Sequence, residues 1–347
     1  MTRNEYIRQL VAQLSFLDEQ AQSAALSFYD EMLDDLMEEG KSEAEAVAAM
    51  DPPAEIAERL RAEANHSTSS TTDASFERQT LTCDVSGLHT IRLEALNTPI
   101  SVIPCTGSKV TLAYTSTLRE YYEAVCQNGV LTLSCQARGG LSLRQIFGLY
   151  RPQPVELHLP PSACAALSLR TSNSPIDVKG EASSPFRFTS VTLNSSNGPL
   201  RLAHLHSNEG LNAHTRNGRI QVQGLESGGV MVLATSNAPI QAEALAALEI
   251  RLSTSNARLN AHQLTSQGAL TLATSNGSIQ VEQLQAAAIT LHTSNGSIQG
   301  TLPGRQADWA ITSRTSNASS SLPVEQPGEK PLSARTSNGA IRLGFEA

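Results

Sequence analysis

The chain has 347 residues, of which 40% are hydrophobic, 17% charged and 4% aromatic. This length exceeds what one ordinary compact domain needs, so we expect two or more units. Because aromatic side chains are scarce, Leu, Ile, Val and Ala must fill the interior, which favours thin stacked layers over one large core.

The formal net charge of −8 is unevenly distributed along the chain. Residues 1–63 contain 15 Asp and Glu against 5 Lys and Arg, a net of −10, whereas the remaining residues contain 18 acidic and 20 basic groups, a net of +2. Nucleic-acid binding needs Lys and Arg at the phosphates. The acidic segment therefore predicts a protein partner and no direct contact with nucleic acid.

Residues 1–63 predict a small all-α domain. Tyr6, Leu10 and Leu14 recur at the spacing of one helix face. Further helix boundaries are indicated by the N-cap Asp18, the terminator Gly40, the capping box Ser42–Glu45 and Asp51-Pro52, which opens a helix to about Ala62. Residues 64–78 follow as a flexible polar linker, because this segment has too little apolar surface to offset its ordering entropy.

Residues 79–165 predict short, irregular strands that begin a β-domain over 79–347. Within this stretch lies a segment that is more apolar than an ordinary loop. We interpret it either as a cap over the open first coil, whose edge invites aggregation, or as a docking loop for a partner. Its side chains are Leu143, Ile146, Phe147, Leu149 and Tyr150.

Regular repeats occupy residues 166–347, where Thr-Ser-Asn-Gly-x-Ile or a close variant returns every 19–24 residues. Apolar residues alternate on either side of the Asn, which is the period of a strand, and turn residues interrupt them. The pattern predicts a mainly β fold, a single-stranded parallel β-solenoid (β-helix) of about 20-residue coils. The repeated residues are Asn173, Asn197, Asn217, Asn237, Asn256, Asn276, Asn295, Asn317 and Asn338, and Asn97 is an isolated earlier copy.

We interpret the Asn row as a structural ladder at the bend of each coil. Asn tolerates φ > 0 there, and stacked amides can bond one another along parallel in-register strands. A ligand-binding role for this row remains the alternative. The Thr two positions earlier predicts a second row, formed by Thr171, Ser195, Thr215, Thr235, Thr254, Thr274, Thr293, Thr315 and Thr336.

The sequence predicts no enzyme and no cofactor site. Solenoid hydrolases and lyases gather carboxylates on one face, whereas the acids here occupy no common repeat position. His204, His206 and His214 are weak candidates for a metal site, with surface histidines as the alternative, because His204 and His206 would share a strand face. No nucleotide-binding or hydrolase motif occurs.

Location is predicted from the cysteines and the apolar segments. The five cysteines have no C-x-x-C spacing, which is typical of free thiols in a reducing compartment, with one or two disulfides as the alternative. The N-terminus does not show the apolar stretch of a signal peptide, and no apolar run is long enough for a transmembrane helix. We therefore expect a cytoplasmic protein, with the cell surface as the alternative.

The first 60 residues resemble the HAAS domain, a helical module of bacterial signalling proteins. The resemblance rests on Asn4–Ile7, on Phe28–Glu31, on Glu38–Glu45 and on the closing segment Met50–Ala57, where Met50 stands in place of the family's Gly. It implies a protein partner such as a PadR-like transcriptional regulator or another signalling protein.

Residues 79–347 are similar to the DUF4097 family of candidate adhesins with β-strand repeats. The resemblance rests on Val155–Pro160, followed by Thr171–Asn173 and the later Thr-Ser-Asn-Gly copies. In many relatives of this pairing a transmembrane segment joins the two domains, which implies membrane association, although this chain has a polar linker there.

Together these features predict a non-enzymatic bacterial regulatory or envelope-stress scaffold. Its helical module would bind a protein, and its solenoid would serve as a recognition or assembly surface. The alternatives are a surface-exposed adhesin and, less favoured, a carbohydrate-active β-helix enzyme. The sequence specifies neither the oligomeric state nor the ligand.

Overall fold

A computed structural model describes residues 1–38, 41–67, 78–116, 120–137 and 153–346. Four helices lie in its N-terminal part and are followed by strands. The helices are α1 Arg3–Gln13, α2 Glu19–Glu38, α3 Glu43–Ala48 and α4 Pro53–Ser67. α4 continues past the predicted end near Ala62, because residues 63–67 contain no Pro or Gly to stop it.

The helices enclose one small apolar core. Thr2 and Ser42 begin α1 and α3 with complete capping boxes. The hydrogen bonds of the second box lower the pKa of Glu45, with the Ser42 hydroxyl as the main cause. The buried side chains of this core are Tyr6, Leu10, Leu14, Ala25, Tyr29, Leu33, Ala46, Val47, Met50, Ile56, Ala57 and Leu60.

Strands make up the rest of the described chain. Those before the regular repeats are β1 Gln79–Asp84, β2 Thr90–Glu94, β3 Ile100–Pro104, β4 Lys109–Tyr114, β5 Glu120–Gln127, β6 Val130–Ala137 and β7 Val155–Leu159. Those of the repeats are β8 Ala165–Thr171, β9 Ile176–Lys179, β10 Phe186–Ser195, β11 Leu200–Thr215, β12 Ile220–Ala234, β13 Ile240–Ser253, β14 Leu259–Ser266, β15 Ala269–Ala273, β16 Ile279–Gln285, β17 Ala288–His292, β18 Ile298–Pro303, β19 Trp309–Arg314, β20 Glu325–Gln326, β21 Lys330–Arg335 and β22 Ile341–Glu346.

The strands form a parallel β-solenoid, as the repeat predicted. Each coil pairs in register with the next, so that equivalent residues stack directly. Burying a Leu or Ile side chain contributes roughly 1.5–3 kcal/mol, and a single coil has no second apolar layer to bury its row against. One fully buried row consists of Ile100, Ile176, Leu200, Ile220, Ile240, Leu259, Ile279, Ile298 and Ile341.

The asparagines form one continuous hydrogen-bonded ladder. Each Nδ2 donates to the Oδ1 of the Asn in the adjacent coil, at 2.6–2.7 Å. Backbone amides of the same turn also cross between coils; the Asn256 N–H, for example, donates to the Ser236 carbonyl at 2.9 Å. Asn97, the isolated early copy, is the first member, and its Oδ1 accepts from Asn173.

The Thr row lies beneath the ladder and ties each turn to its neighbour. The Thr254 hydroxyl donates to the Ala238 carbonyl of the adjacent coil at 3.1 Å. In other coils the same oxygen also accepts from its own turn, as when the Gly277 N–H donates to Thr274 at 3.2 Å. The turn is so close to its neighbour that a Cβ on Gly277 would lie 1.7 Å from the Ala257 carbonyl oxygen.

A second corner of each central coil contains a residue with left-handed backbone conformation. The φ values are 51° at His204, 62° at Gly224, 52° at Ala244, 56° at Gln263 and 54° at Gln283. The inward alternation resets there: buried side chains are three residues apart across the corner instead of two, as with Leu264 after Ala261. Four of the five corner residues are not Gly, so their side chains give little signal of this corner in the sequence.

The last two coils stack in the reverse of chain order. Asn338 donates to Asn295, and Asn317 donates to Asn338, so the coil that contains Asn338 lies between its predecessors. β21 accordingly pairs with both β17 and β19. β20 pairs with β19 in the antiparallel sense, and the buried Ser313 hydroxyl donates to the Pro323 carbonyl at 2.8 Å. β20 therefore pairs along the strand of the terminal coil.

Antiparallel strands end the stack on the other side. β7 pairs with β3 in the parallel sense, but β4 pairs with β7 and β1 pairs with β4 in the antiparallel sense. The parallel ladder is thus closed by a different strand arrangement at its first coils.

Replacing Asn256 by Leu should destabilise the central coils. Asn256 makes two ladder bonds, one to Asn237 and one from Asn276, so we expect a loss of about 1–2 kcal/mol in the free energy of unfolding. Amide hydrogen exchange should accelerate in coils 237–276 and stay unchanged in α1–α4. Asn260→Leu is the matched control, because it makes the same change at an outward strand position of one coil. Equal effects of the two substitutions would contradict a stabilising ladder.

Gln263 tests the left-handed corner. A β-branched side chain is disfavoured at φ 56°, so Gln263→Val should lower the free energy of unfolding by about 1 kcal/mol. Gln263→Gly removes the Cβ and should leave stability unchanged or raise it. Urea unfolding of both variants measures the difference, and a Val variant as stable as the Gly variant would show that the corner imposes no backbone constraint.

Candidate functional site

The helical region presents many carboxylates to solvent. One of its basic residues, Arg3, is already engaged, since its guanidinium bonds the carboxylates of Asp34 and Asp30, which raise its pKa. The acidic character inferred from composition is therefore a property of the surface. Exposed carboxylate residues among those described are Glu5, Asp18, Glu19, Asp34, Glu43, Glu45, Glu55 and Glu58.

A small apolar area accompanies these charges. Val11 and Phe16 are each 38% exposed. The Arg61 guanidinium lies 4.8 Å from the Phe16 ring centroid, and its Nη2 donates to the Gln13 carbonyl. The Phe16 ring is thus partly covered by a cation.

The outward face of the solenoid contains a row of amide side chains that sequence reasoning did not single out. Register places one amide directly above the next, about 4.8 Å apart in a parallel array. The signal was available, because these residues all lie four positions after the ladder Asn. The row consists of Gln221, Gln241, Asn260, Gln280 and Gln299, and it is flanked by Arg201 and Arg342.

Charged side chains on the solenoid form local pairs. Arg201 Nη1 lies 3.3 Å from Asp177 Oδ1, and Arg251 Nε lies 2.6 Å from Glu249 Oε1. The Glu249 carboxylate raises the pKa of Arg251 through that hydrogen bond. These pairs reduce the net field of the face, so its outward amides and hydroxyls dominate its polar chemistry.

The three candidate histidines have different surroundings. His204 is itself a corner residue, with a φ of 51°. His206 is paired with Glu226, whose Oε2 lies 3.4 Å away, and with Asn208. His214 stacks between Asn194 and Ala234 in the strand register. In the described part of the chain no three His, Cys, Asp or Glu side chains form a group that could hold a metal ion.

The remaining predicted site residues divide into two sets. The ladder asparagines are exposed, but their amides already bond one another along the coils, which limits what they offer a ligand. The apolar loop of Leu143, Ile146, Phe147, Leu149 and Tyr150 lies outside the described residues. Every helix in the described ranges is too short or too polar to cross a bilayer.

Comparison with known proteins identifies both parts of the chain. A model of the HAAS family matches residues 5–59. A model of the family described as Toastrack DUF4097 matches residues 88–344. No curated protein matches the chain.

Solved structures of low sequence identity resemble the β-domain. A candidate adhesin from Bacteroides fragilis is 11% identical with a TM-score of 0.41, and 78% of this chain and 99% of that chain are covered. A candidate adhesin from Parabacteroides merdae is 11% identical with a TM-score of 0.44, and 78% of this chain and 97% of that chain are covered. A candidate cell adhesion protein from Clostridium sporogenes is 9% identical with a TM-score of 0.23, and 78% of this chain and 100% of that chain are covered.

The family match covers well over half of the chain, and it coincides with the parallel coils, the Thr-Ser-Asn-Gly turns and the ladder. The chain therefore belongs to the Toastrack DUF4097 family, with a HAAS module at residues 5–59.

Proposed function

We propose that this protein is a non-enzymatic regulatory scaffold whose helical module binds a basic protein partner. The observation that carries the proposal is the set of exposed carboxylates on the described helices, with Arg3 engaged by Asp30 and Asp34. A surface of one sign attracts a partner of the opposite sign and speeds its association.

The module's family supports a protein as the partner. HAAS domains are associated with protein partners, and the acidic surface does not suit phosphate contacts. Glu55 and Glu58 lie on the exposed side of α4, next to the buried Ile56 and Ala57. We assign these two carboxylates to the partner surface, and regulators of the PadR type are the partner class that the resemblance favours.

The solenoid is proposed as the recognition or assembly surface of the same scaffold. Its inward positions are occupied mainly by Leu, Ile, Val and Ala in coil after coil, whereas its outward positions outside the amide row change along the stack. Outward side chains can change without disturbing the packing of the core, so they are available to contact a partner. We place the protein in the cytoplasm, since an odd number of cysteines is typical of a reducing compartment.

A second function, a surface protein that binds envelope material, is favoured by the outward amide row. Amides spaced by one coil can donate to and accept from a repetitive polar polymer. An envelope-binding protein must lie at the cell surface, whereas the proposed scaffold lies in the cytoplasm.

Charge reversal on α4 tests the partner proposal. The full chain serves as bait in affinity capture from a lysate of the native host, with mass spectrometry of the captured proteins. We expect the double variant Glu55→Lys/Glu58→Lys to lose a captured partner at least tenfold, because two attractive charges become repulsive. Raised salt should also weaken capture of the partner by the wild type, because it screens the attraction between the charges.

The matched control is Glu243→Lys/Glu325→Lys, which makes the same charge change at exposed solenoid positions. It should capture the partner as the wild type does. Equal recovery by both double variants, or no protein that depends on residues 1–63, would refute the helical binding surface.

Location separates the two functions. If the scaffold function holds, fractionation of the native host should place the full chain in the cytosol, and protease added to intact cells should leave it uncut. Cleavage by external protease, with a cytosolic marker intact, would reject the cytoplasmic scaffold and support envelope binding.

A further inference from the structure

Two segments lie side by side at the beginning of the solenoid. The backbone N–H groups of His89 and Thr90 both donate to the Gly129 carbonyl, at 2.9 and 3.2 Å. The His89 ring Nε2 lies 3.0 Å from the Asn128 carbonyl oxygen. A Cβ on Gly129 would lie 2.3 Å from the Gly87 carbonyl oxygen, so the two backbones are as close as packing permits. Several contacts therefore fix the relative positions of segments 87–90 and 128–129, which lie beside Cys83 and Cys126 in the sequence.

This frame holds two cysteines together. Cys83 lies near the end of β1, and Cys126 lies near the end of β5. Their side chains open into the same space. Both line one small cavity of about 180 Å³ beside Gly87 and Gly129, and both pack against the edge of the solenoid core.

Other cysteines have different surroundings. The Cys105 thiol donates to the Lys109 carbonyl at 3.8 Å. Cys164 is exposed and lies 3.7 Å from the Thr189 hydroxyl. Both therefore serve as internal comparisons for the Cys83–Cys126 pair.

The chemistry of Cys83 sets the order of any reaction. Burial, followed by the hydrogen bond with Cys126, raises the pKa of the Cys83 thiol to about 12. Cys83 is then protonated at neutral pH and is a poor first nucleophile, because the thiolate is the reactive form. It is better suited to resolve a mixed disulfide formed on its neighbour, at a fixed short distance.

We propose that Cys83 and Cys126 form an intramolecular disulfide when the protein meets a low-molecular-weight disulfide such as oxidised glutathione. Cys126, as thiolate, attacks one glutathione sulfur, which forms a mixed disulfide and releases one glutathione thiolate. Cys83 loses its proton and attacks the Cys126 sulfur, which forms the protein disulfide and releases the second glutathione. Two protein thiols are oxidised, one glutathione disulfide is reduced, and both protons end on glutathione.

The bond would tie β1 to β5 across the antiparallel end of the stack. β1 is the first described strand after the segment 68–77 and pairs with β4, so the cross-link would tie it directly to β5 as well. A reducing cytosol would keep the pair as thiols, whereas an oxidising compartment would close it. This site does not depend on the partner of the helical module.

The test uses the purified full chain, equilibrated in glutathione mixtures of increasing oxidised fraction. Remaining thiols are blocked with N-ethylmaleimide, and intact mass and peptide mapping follow. We expect loss of two hydrogens and of two alkylation sites per chain, a peptide that joins Cys83 to Cys126, and a higher melting temperature after oxidation. Cys126→Ser should abolish all three changes, and Cys105→Ser should retain them.

Other results would overturn the assignment. These are a stable glutathione adduct on Cys126 without ring closure, a disulfide that uses Cys105, Cys135 or Cys164 instead, or no cross-link at any glutathione ratio. The mapping on the wild-type chain decides among them even if a serine variant fails to fold, because it needs no substitution.

Discussion

Coil-to-coil registry is the constraint on which the rest of the solenoid depends. Parallel strands stack about 4.8 Å apart, so every coil must place the same atoms at the same point of its path. Asn256 is held in register by two hydrogen bonds, since its amide donates to Asn237 and accepts from Asn276. The Thr254 hydroxyl adds a third bond from inside the turn by donating to a backbone carbonyl of the adjacent coil. The buried Ile and Leu rows then follow, because a coil held in register has no other place for them.

Registry also separates structure from recognition. Inward positions are fixed by packing, and the turn is fixed by Thr and Asn, so variation is left to outward strand positions. There the charges pair locally, as Arg251 does with Glu249, and amides such as Gln280 remain in line. The helical module has a different electrostatic character, because its exposed carboxylates outnumber their cations. Selection of a partner by charge therefore belongs to the helices, and polar complementarity belongs to the solenoid.

The period made the solenoid predictable, and the limits of prediction have physical causes. The asparagines from Asn173 to Asn338 recur at nearly constant spacing, and the alternating apolar residues on either side of each one predict strands. The corner at Ala244 and Gln263 could not be foreseen, because these residues have no preference for positive φ and adopt it only when stacking demands it. His204 occupies the equivalent corner of its own coil. The exchange of the coils of Asn317 and Asn338 was equally hidden, since both carry the same turn motif. The outward amide row did have a periodic signal, since each of its members lies four positions after a ladder Asn.

The first coils differ from the regular stack in a way that matters for function. In the central coils each turn is held by neighbours on both sides, but β1 is antiparallel and lies at the end of that cooperativity. Ends of solenoids open first, because a terminal coil has one interface instead of two. A contact that fixes this end, such as the packing of Gly129 against Gly87, therefore stabilises the strand from which the chain continues toward the helical module. Control of that end by thiol chemistry would act where the stack is weakest and leave the ladder of the central coils unchanged.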